Sequence, residues 1–370
     1  MKIHILRTVL QEKLSFLNHA ISTRNQLPIL LHFLLEAENN MLTISSTDLE
    51  IGIEVKLAAK IEEQGTITLP AKTFTELIQS LTDESVTIQT REQAVDVISK
   101  KSKSSFQTAA TQDFPKLYEE KGELIAQLES AAIKKYLSSV IFSASTDTTR
   151  PALSGVLIRK EEEGFLLVAT DGFRLSLKHY KSMEKQTQGT LARFIVPARV
   201  LRELLAMKEE EKQISVYISS TNNQIIFEQG GTMLIGRLIE AEFPPFEKII
   251  PSDFSAHIRF DREELQKAVK ICSIFARDAA NIIKLSFKKD QIVVSSQSPS
   301  LGENTVTVDA SLKGEENEIA FNARYLQDLF ANLDENDMEF EMVGPLNPGV
   351  FKIHEDESYL HLIMPIRVQS

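Results

Sequence analysis

Three stretches of the chain share one pattern of hydrophobic and polar positions, and each predicts a strand that runs into a helix. A short hydrophobic run ends at a corner residue, and apolar residues then recur at the spacing of an amphipathic helix. Successive copies lie about 125 residues apart, which is the size of a small domain and predicts a triplicated domain rather than a solenoid. The stretches are residues 68–77, 195–204 and 320–329, with corners at Pro70, Pro197 and Asn322.

Each repeat is predicted to hold two helices and about eight strands. The first helices are expected over residues 9–21, 131–142 and 262–275, and the second helices begin at the corners. The fold class is therefore α+β, with three repeated domains in which two helices pack on antiparallel sheet. Boundaries near Lys121 and Pro251 divide the chain into domains of residues 1–121, 122–250 and 251–370.

Alternation with a period of two predicts strands that have one face in water. Residues 49–57 alternate in this way, starting at Leu49 and placing Glu54 on the polar face. In the second repeat the same alternation begins at Phe173. Both stretches are expected to be half-buried strands.

Composition bounds the class of protein. The 370 residues carry a net charge of -11 and one cysteine, Cys272, so a disulfide framework is excluded and a reducing cytosol is favoured. The first residues include Arg7 and Glu12 within their apolar run, which argues against a signal peptide. Since no stretch approaches the roughly 20 apolar residues that span a bilayer, we expect a soluble cytoplasmic protein.

Enzymatic signals are weak. The seven histidines are scattered without metal-ligand spacing, and no glycine-rich phosphate loop is present, so neither a metal nor a cofactor is expected. Asp171 in Ala169-Thr-Asp-Gly-Phe-Arg174 resembles a general base, but Asp48 lies at the matching place in the first repeat. A strand corner held by aspartate hydrogen bonds explains both better than catalysis does. An enzyme with its site around Asp171 and Arg174 stays as a less favoured alternative.

The second helices share a basic position, occupied by Lys72, Arg199 and Arg324. A solvated helix face with acidic partners explains any one of these cations. Recurrence at the same position of three repeats favours a common surface instead, and a phosphate backbone is the natural partner for such a surface.

The last residues are unusually apolar. A closing core strand explains the first half of residues 359–368, but pairing is expected to fail around Pro365. Met364, Ile366 and Val368 are therefore predicted to line a groove, and methionine suits an adaptable peptide pocket.

These motifs together resemble the bacterial DNA polymerase III beta subunit family, the sliding clamps, from the first repeat to the last. The resemblance implies two chains joined head to tail in a closed ring around duplex DNA, with no catalytic role. It also implies peptide-binding partners, namely the polymerase III catalytic subunit, the clamp loader, and other polymerases and repair proteins. The matching motifs include Leu27-Pro-Ile-Leu30, Ser46-Thr-Asp-Leu-Glu50, Asp113-Phe-Pro115, Ala169-Thr-Asp-Gly172, Ile195-Val-Pro197, Glu242-Phe-Pro244 and Met364-Pro-Ile-Arg-Val368.

The resemblance assigns three sets of residues. Those expected to face DNA are Arg24, Lys72, Lys134, Lys135, Arg199, Lys267 and Arg324. Those expected to form a peptide pocket between the second and third domains are Leu153, Thr170, Gly172, Phe173, Arg174, Leu175, Pro244, Lys248, Ile249, Asn322, Tyr325, Leu362, Met364, Pro365, Ile366 and Arg367. Those expected at the dimer interface, where an edge strand of domain one meets an edge of domain three, are Lys100, Lys101, Lys103, Phe106, Ile274, Phe275 and Glu303.

The chain departs from the family pattern in three places. Phe173 stands where several relatives have histidine, so a more apolar pocket wall is expected. Glu303 is the only acidic residue in residues 299–304, which predicts a dimer contact that depends little on ion pairs. Gln369 and Ser370 extend past the usual end and are expected to crowd the pocket slightly. A monomeric peptide-binding adaptor remains a second alternative, which the mass in solution would distinguish from the ring.

Overall fold

The structure is a computed structural model that describes residues 1–22, 27–91, 94–181 and 193–367. These residues form six α-helices and 25 strands, in an order that recurs three times. The two helices predicted for each repeat are therefore confirmed, as is the number of strands. The helices are α1 Arg7–Leu17, α2 Ala71–Ser80, α3 Ser130–Ile141, α4 Ala198–Ala206, α5 Arg262–Ala276 and α6 Ala323–Ala331.

The strands are short, and every recorded pairing between them is antiparallel. Those of the first repeat are β1 Lys2–Leu6, β2 His32–Glu38, β3 Met41–Thr47, β4 Ile51–Ala58, β5 Lys60–Glu63, β6 Gly65–Pro70, β7 Ser85–Arg91, β8 Ala94–Ile98 and β9 Lys103–Gln107. Those of the second are β10 Glu123–Glu129, β11 Gly155–Glu161, β12 Gly164–Thr170, β13 Arg174–Lys181, β14 Arg193–Pro197, β15 Gln213–Ser219, β16 Gln224–Gln229 and β17 Thr232–Arg237. Those of the third are β18 Ala256–Asp261, β19 Ile282–Lys288, β20 Gln291–Ser298, β21 Gly302–Gly314, β22 Asn317–Asn322, β23 Asp337–Met342, β24 Gly349–Ile353 and β25 Asp356–Ile363.

The chain divides into two compact units. The first comprises the described parts of Met1–Ala132 and Arg199–Leu238. It contains a five-stranded sheet in the order β5-β1-β7-β8-β9 and an eight-stranded sheet in the order β10-β15-β16-β17-β4-β3-β2-β6. Because β17 pairs with β4, the sheet of the first repeat continues directly into strands of the second.

The second unit comprises the described parts of Ile133–Met183, Leu191–Ala198 and Ile239–Ser370. Its twelve strands follow the order β14-β11-β12-β13-β25-β24-β23-β18-β21-β20-β19-β22. Here β13 pairs with β25, so strands of the second repeat continue into the third. The core of the third repeat buries one face of α5 and of α6 against these strands and includes stacked rings, with Phe287 and Phe340 at 4.9 Å between centroids.

The second helices begin at the corner residues, as the sequence predicts, and one of the corners caps its helix. Pro70 precedes α2, and Asn322 precedes α6, where its side-chain oxygen accepts a hydrogen bond from the N–H of Arg324 at 3.0 Å. An asparagine in this position satisfies one of the free N–H groups at the helix start. Pro197 ends β14 immediately before α4.

Two strand predictions are wrong at their first residue. Leu49 and Phe173 lie in turns, and β4 and β13 begin two residues and one residue later, at Ile51 and Arg174. The reason is that each turn is closed by an aspartate side chain, which extends the turn past the point where apolar alternation starts. Glu54 is also buried rather than on a solvent-exposed face. Its buried carboxylate accepts a hydrogen bond from the hydroxyl of Tyr118 at 3.3 Å, and such a partner makes the burial of a charged group tolerable.

Close packing in the core of the third repeat predicts that added volume there lowers stability. A Cβ at Gly349 would lie 2.5 Å from a ring carbon of Phe340 and 2.6 Å from one of Phe321. We expect Gly349→Ala to lower the free energy of unfolding by about 1–3 kcal/mol through overpacking, measured from the urea midpoint. Gly344→Ala is the matched control, since its Cβ would meet only Asn347 at 3.5 Å. Equal midpoints for the two variants would contradict this account of the core.

Candidate functional site

The turn between β12 and β13 is built by side-chain hydrogen bonds. Thr170 donates its hydroxyl to the carbonyl of Arg174 at 2.6 Å and accepts from the N–H of Gly172 at 3.0 Å. Asp171 accepts from the N–H groups of Phe173 and Arg174 at 2.9 and 3.0 Å. Gly172 has φ 92°, where glycine is favoured. This turn holds Phe173 outward, with 59% of its surface exposed.

Arg174 ties this turn to the third repeat. Its guanidinium donates to Asp171 at 3.1 Å, to Asp328 on α6 at 2.6 Å and to the carbonyl of Phe142 at 2.8 Å. It also stacks on the ring of Tyr325, 4.7 Å from the centroid, a favourable contact for a buried cation. Burial raises the pKa of the Tyr325 hydroxyl, and the charge of Asp171 raises it further.

These contacts bear on the enzyme alternative. The Asp171 carboxylate accepts hydrogen bonds from two backbone N–H groups and from Arg174. The Asp48 carboxylate accepts the same two backbone hydrogen bonds at its own turn. The carboxylates therefore shape turns in both repeats, as the sequence comparison of the two predicts.

A buried polar network lies beside Arg174. The Ser176 hydroxyl is 2.7 Å from Nδ1 of His361 and 2.7 Å from the hydroxyl of Ser143. His361 is completely buried, and burial, followed by the charge of Arg174, holds its pKa well below the usual range. His361 is therefore a neutral core residue and does not reach a ligand in solvent.

The chain after β25 contradicts the expected loss of pairing. The N–H of Met364 donates to the carbonyl of Phe173 at 2.8 Å, and the N–H of Ile366 donates to the carbonyl of Ala320 at 2.8 Å. Pro365 lacks only its own N–H, and the alternate residues on either side still pair. Val368, Gln369 and Ser370 lie outside the described residues.

The predicted pocket residues differ in exposure. Leu175 and Leu362 face each other in the β13–β25 register and are completely buried. Apolar surface is exposed at Phe173, at Ile249 (45%) and at Met364 (39%). Leu153, Thr170 and Arg174 are also buried. The others are half-buried or exposed, namely Gly172, Pro244, Lys248, Asn322, Tyr325, Pro365, Ile366 and Arg367.

Sequence reasoning missed two partners of Arg174 and one exposed apolar residue. Phe142 and Asp328 hold the guanidinium, and no local pattern links them to a strand 32 or 154 residues away. Leu346 is exposed in the turn before β24. The sequence could have indicated the exposure of Leu346, because the residue lies between Gly-Pro and Asn-Pro, which predict a turn.

The shared basic position is the second residue of α2, α4 and α6. Lys72 and Arg324 are exposed and have no ion-pair partner in the described part of the chain. Arg199 differs, since it pairs with Asp48 and, at 3.1 Å, with Glu50. Lys135 pairs with Glu335 at 2.8 Å, and Lys267 with Glu263 at 4.0 Å.

Two other predicted DNA-facing residues complete the set. Lys134 is half-buried on α3. Arg24 lies outside the described residues.

Each unit has an open sheet edge among the residues predicted for the dimer contact. In the first unit β9 pairs only with β8 in the described chain, and Phe106 packs edge-on against Phe74 at 6.2 Å. Lys100 and Lys101 are exposed just before β9, while Lys103 pairs with Asp96 at 3.1 Å.

In the second unit, residues 302–309 of β21 pair only with β20 among the described strands, because β18 pairs with residues 310–314. Glu303 on this edge is exposed. On α5, Ile274 is exposed and Phe275 is half-buried.

No group of three or more histidine, cysteine or acidic side chains in the described residues is arranged to hold a metal ion. Among the described helices, none is long and apolar enough to cross a membrane.

Comparison with known proteins identifies the family. Models of the N-terminal, central and C-terminal domains of the DNA polymerase III beta subunit match residues 1–118, 127–245 and 247–367. The beta sliding clamp of Staphylococcus aureus is 30% identical over 360 residues, covering 94% of each chain. A DNA polymerase sliding clamp from Bacillus subtilis superposes with a TM-score of 0.94 at 26% identity, covering 100% of both chains.

A sliding clamp from Bartonella birtlesii, solved bound to griselimycin, superposes with a TM-score of 0.92 at 25% identity, again over 100% of both chains. Three domain matches in order, a full-length relative and two full-length structural matches agree with one another. The chain therefore belongs to the DNA polymerase III beta subunit family, the beta sliding clamps, and is a non-catalytic subunit.

Proposed function

We propose that two copies of this chain close head to tail into a ring that encircles duplex DNA in the cytoplasm and tethers the replicative polymerase. The observation that carries the proposal is the cation at the second residue of the second helix in every repeat. Six such helices in a ring of two chains would line one surface, and phosphates would be their natural partners. We propose with it that the three domains of each chain meet near Lys121 and Pro251.

The net charge of -11 is compatible with this function. A closed ring stays on DNA by topology and needs only weak contacts to phosphates, which carry no sequence information. An acidic outer surface of the ring would also repel nucleic acid that the ring does not enclose.

The open edges of β9 and of residues 302–309 in β21 support ring closure. An unpaired edge is an aggregation liability, and pairing it with its counterpart on a second copy removes that liability. Ile274 and Phe275 would then pack near Phe106.

The apolar surface of Phe173, Ile249 and Met364 supports a peptide groove. Such a groove would bury leucine or phenylalanine side chains of a partner peptide, each contributing about 1.5–3 kcal/mol. The Bartonella birtlesii clamp solved bound to griselimycin supports the idea that clamps of this family have a site for ligands. The polymerase III catalytic subunit, the clamp loader and other clamp-binding polymerases and repair proteins would share this groove.

Charge reversal tests the surface that faces DNA. We expect Lys72→Glu and Arg324→Glu to weaken binding to short duplex DNA at low salt several-fold, because each removes an exposed cation and adds a repelling anion. Arg199→Ala is expected to have a smaller effect, since Arg199 is already neutralised by Asp48 and Glu50. Fluorescence anisotropy at several salt concentrations measures this, with Lys313→Glu on β21 as the control. Equal losses for the control and for Lys72→Glu would refute the assignment.

The dimer contact is tested by mass in solution. With Glu303 as the one acid in residues 299–304, we expect the dimer to persist between low salt and about 0.5 M salt, where Debye screening has removed most surface attraction. Analytical ultracentrifugation at several concentrations measures the dissociation constant. A steep rise of that constant with salt would contradict an edge held by strand pairing and apolar contact, and a monomer at all concentrations would favour the adaptor alternative.

The peptide groove is tested with a paired substitution. We expect Met364→Ala to weaken binding of a peptide from the polymerase III catalytic subunit by about fivefold to tenfold, as about 1 kcal/mol of apolar contact is lost. Met41→Ala is the matched control, because Met41 is 38% exposed and Met364 is 39% exposed. Calorimetry measures the peptide affinity of both variants, and the mass in solution verifies that both remain dimers. If Met364→Ala binds the peptide as the wild type does, Met364 does not belong to the groove.

A further inference from the structure

The turn before β4 repeats the hydrogen bonding of the turn before β13. The Thr47 hydroxyl donates to the carbonyl of Ile51 at 2.8 Å and accepts from the N–H of Leu49 at 3.0 Å. Asp48 accepts from the N–H groups of Glu50 and Ile51 at 3.0 and 2.9 Å. The backbone that holds Phe173 outward in the second repeat is therefore built again in the first.

The strand beside this turn is also equivalent. β17 pairs with β4 as β25 pairs with β13. The N–H of Arg237 donates to the carbonyl of Glu50 at 3.3 Å, as the N–H of Met364 donates to that of Phe173 at 2.8 Å. Arg237 and Glu50 thus occupy the places that Met364 and Phe173 occupy in the second unit.

A cavity of about 380 Å³ lies at this place in the first unit. Its apolar lining includes Ile51, Ile235 and Leu117, and the last of these lies over Gly52, 3.2 Å from where a Cβ would be. The volume lies at the lower end of the range of sites that take a small ligand. An apolar floor with polar groups at its rim is the usual composition of such a site.

Leu49 at the rim is placed against the preference of its backbone. Its φ is 78°, in the left-handed region, whereas the equivalent residue in the second repeat is Gly172. Leucine in this conformation is strained, and 56% of its surface is exposed. Strain at an exposed apolar residue beside a cavity points to a use other than folding.

One cation at the rim is available to an acidic ligand. Lys116 pairs with Glu119 at 2.6 Å, and Glu50 pairs with Arg199. Arg237 is exposed and has no ion-pair partner among the described residues. Arg199 is shared between Glu50 and Asp48, so Arg237 is the lining cation that is available to a ligand, and a guanidinium binds a carboxylate in two-point geometry.

We propose that this cavity is a second peptide-docking groove, which takes a short linear peptide with one large apolar side chain next to an aspartate or glutamate. The apolar side chain enters between Leu49, Leu117 and Ile235, and the adjacent carboxylate pairs with Arg237. Since the rim carries charge where Phe173 and Met364 are apolar, the two grooves select different peptides. One chain then holds two partners at once, without competition.

Selection from a random heptapeptide phage library tests the proposal. The bait is the full-length Met364→Ala variant, which weakens the other proposed groove, and the counter-selection uses Arg237→Glu. We expect enriched peptides to carry an apolar residue beside an acidic one. Absence of any enriched pool would overturn the proposal.

Affinities of the enriched peptides, measured by fluorescence anisotropy, locate the groove. We expect losses of about tenfold or more for Arg237→Glu and for Leu49→Gly, as a charge-assisted pair or an apolar wall is removed. Leu49→Gly suits its backbone, so the fold is retained. Arg193→Glu, which reverses an exposed arginine on β14, is the control and is expected to bind as the wild type does. Peptides that keep their affinity on both groove variants would overturn the proposal, whatever the Met364→Ala result is for the polymerase peptide.

Discussion

Backbone hydrogen bonds between consecutive repeats are the constraint on which the rest of the structure depends. In each unit, the strand that follows an aspartate-closed turn pairs antiparallel with the last strand of the next repeat, β4 with β17 and β13 with β25. The residue that leaves that last strand must then pass over the turn. Because the pairing recurs, equivalent side chains lie beside both turns, and their chemistry decides what surface each turn presents.

Side chains have diverged on this common backbone. At the turn of the second repeat these positions are Gly172, Phe173 and Met364, and the last two expose apolar surface. At the turn of the first repeat, the same positions carry Leu49, a glutamate and Arg237 around a cavity. The repeats have diverged at the basic helix position too, because Lys72 and Arg324 have no ion-pair partner in the part of the chain that the structure describes, while Arg199 is neutralised by two carboxylates. Equivalent positions in a triplicated chain therefore need not share a role.

Much of the fold could be predicted from the sequence, because its signals are local and occur three times. Corner residues, apolar periodicity and turn aspartates each reappear at the same offset, and the structure confirms the helices, the antiparallel sheets and the structural role of Asp171. Residues that depend on distant contacts were not predictable. The buried carboxylate of Glu54 is hydrogen-bonded by Tyr118, which lies 64 residues away in sequence, and the guanidinium of Arg174 is held by Phe142 and Asp328. Pairing at Ile366 was missed because its partner is a carbonyl on another strand, which leaves no mark on the sequence of the tail.

The central claim is that the chain holds DNA by topology, and retention on circular DNA tests it most directly. The clamp is loaded onto nicked circular DNA with its clamp loader and ATP, and half of the sample is then cut once to give free ends. The account predicts that the clamp stays on the intact circle at a salt concentration that disrupts phosphate contacts, and leaves the cut DNA. Equal release from both forms would contradict a closed ring, and equal retention would mean that binding, rather than topology, holds the DNA.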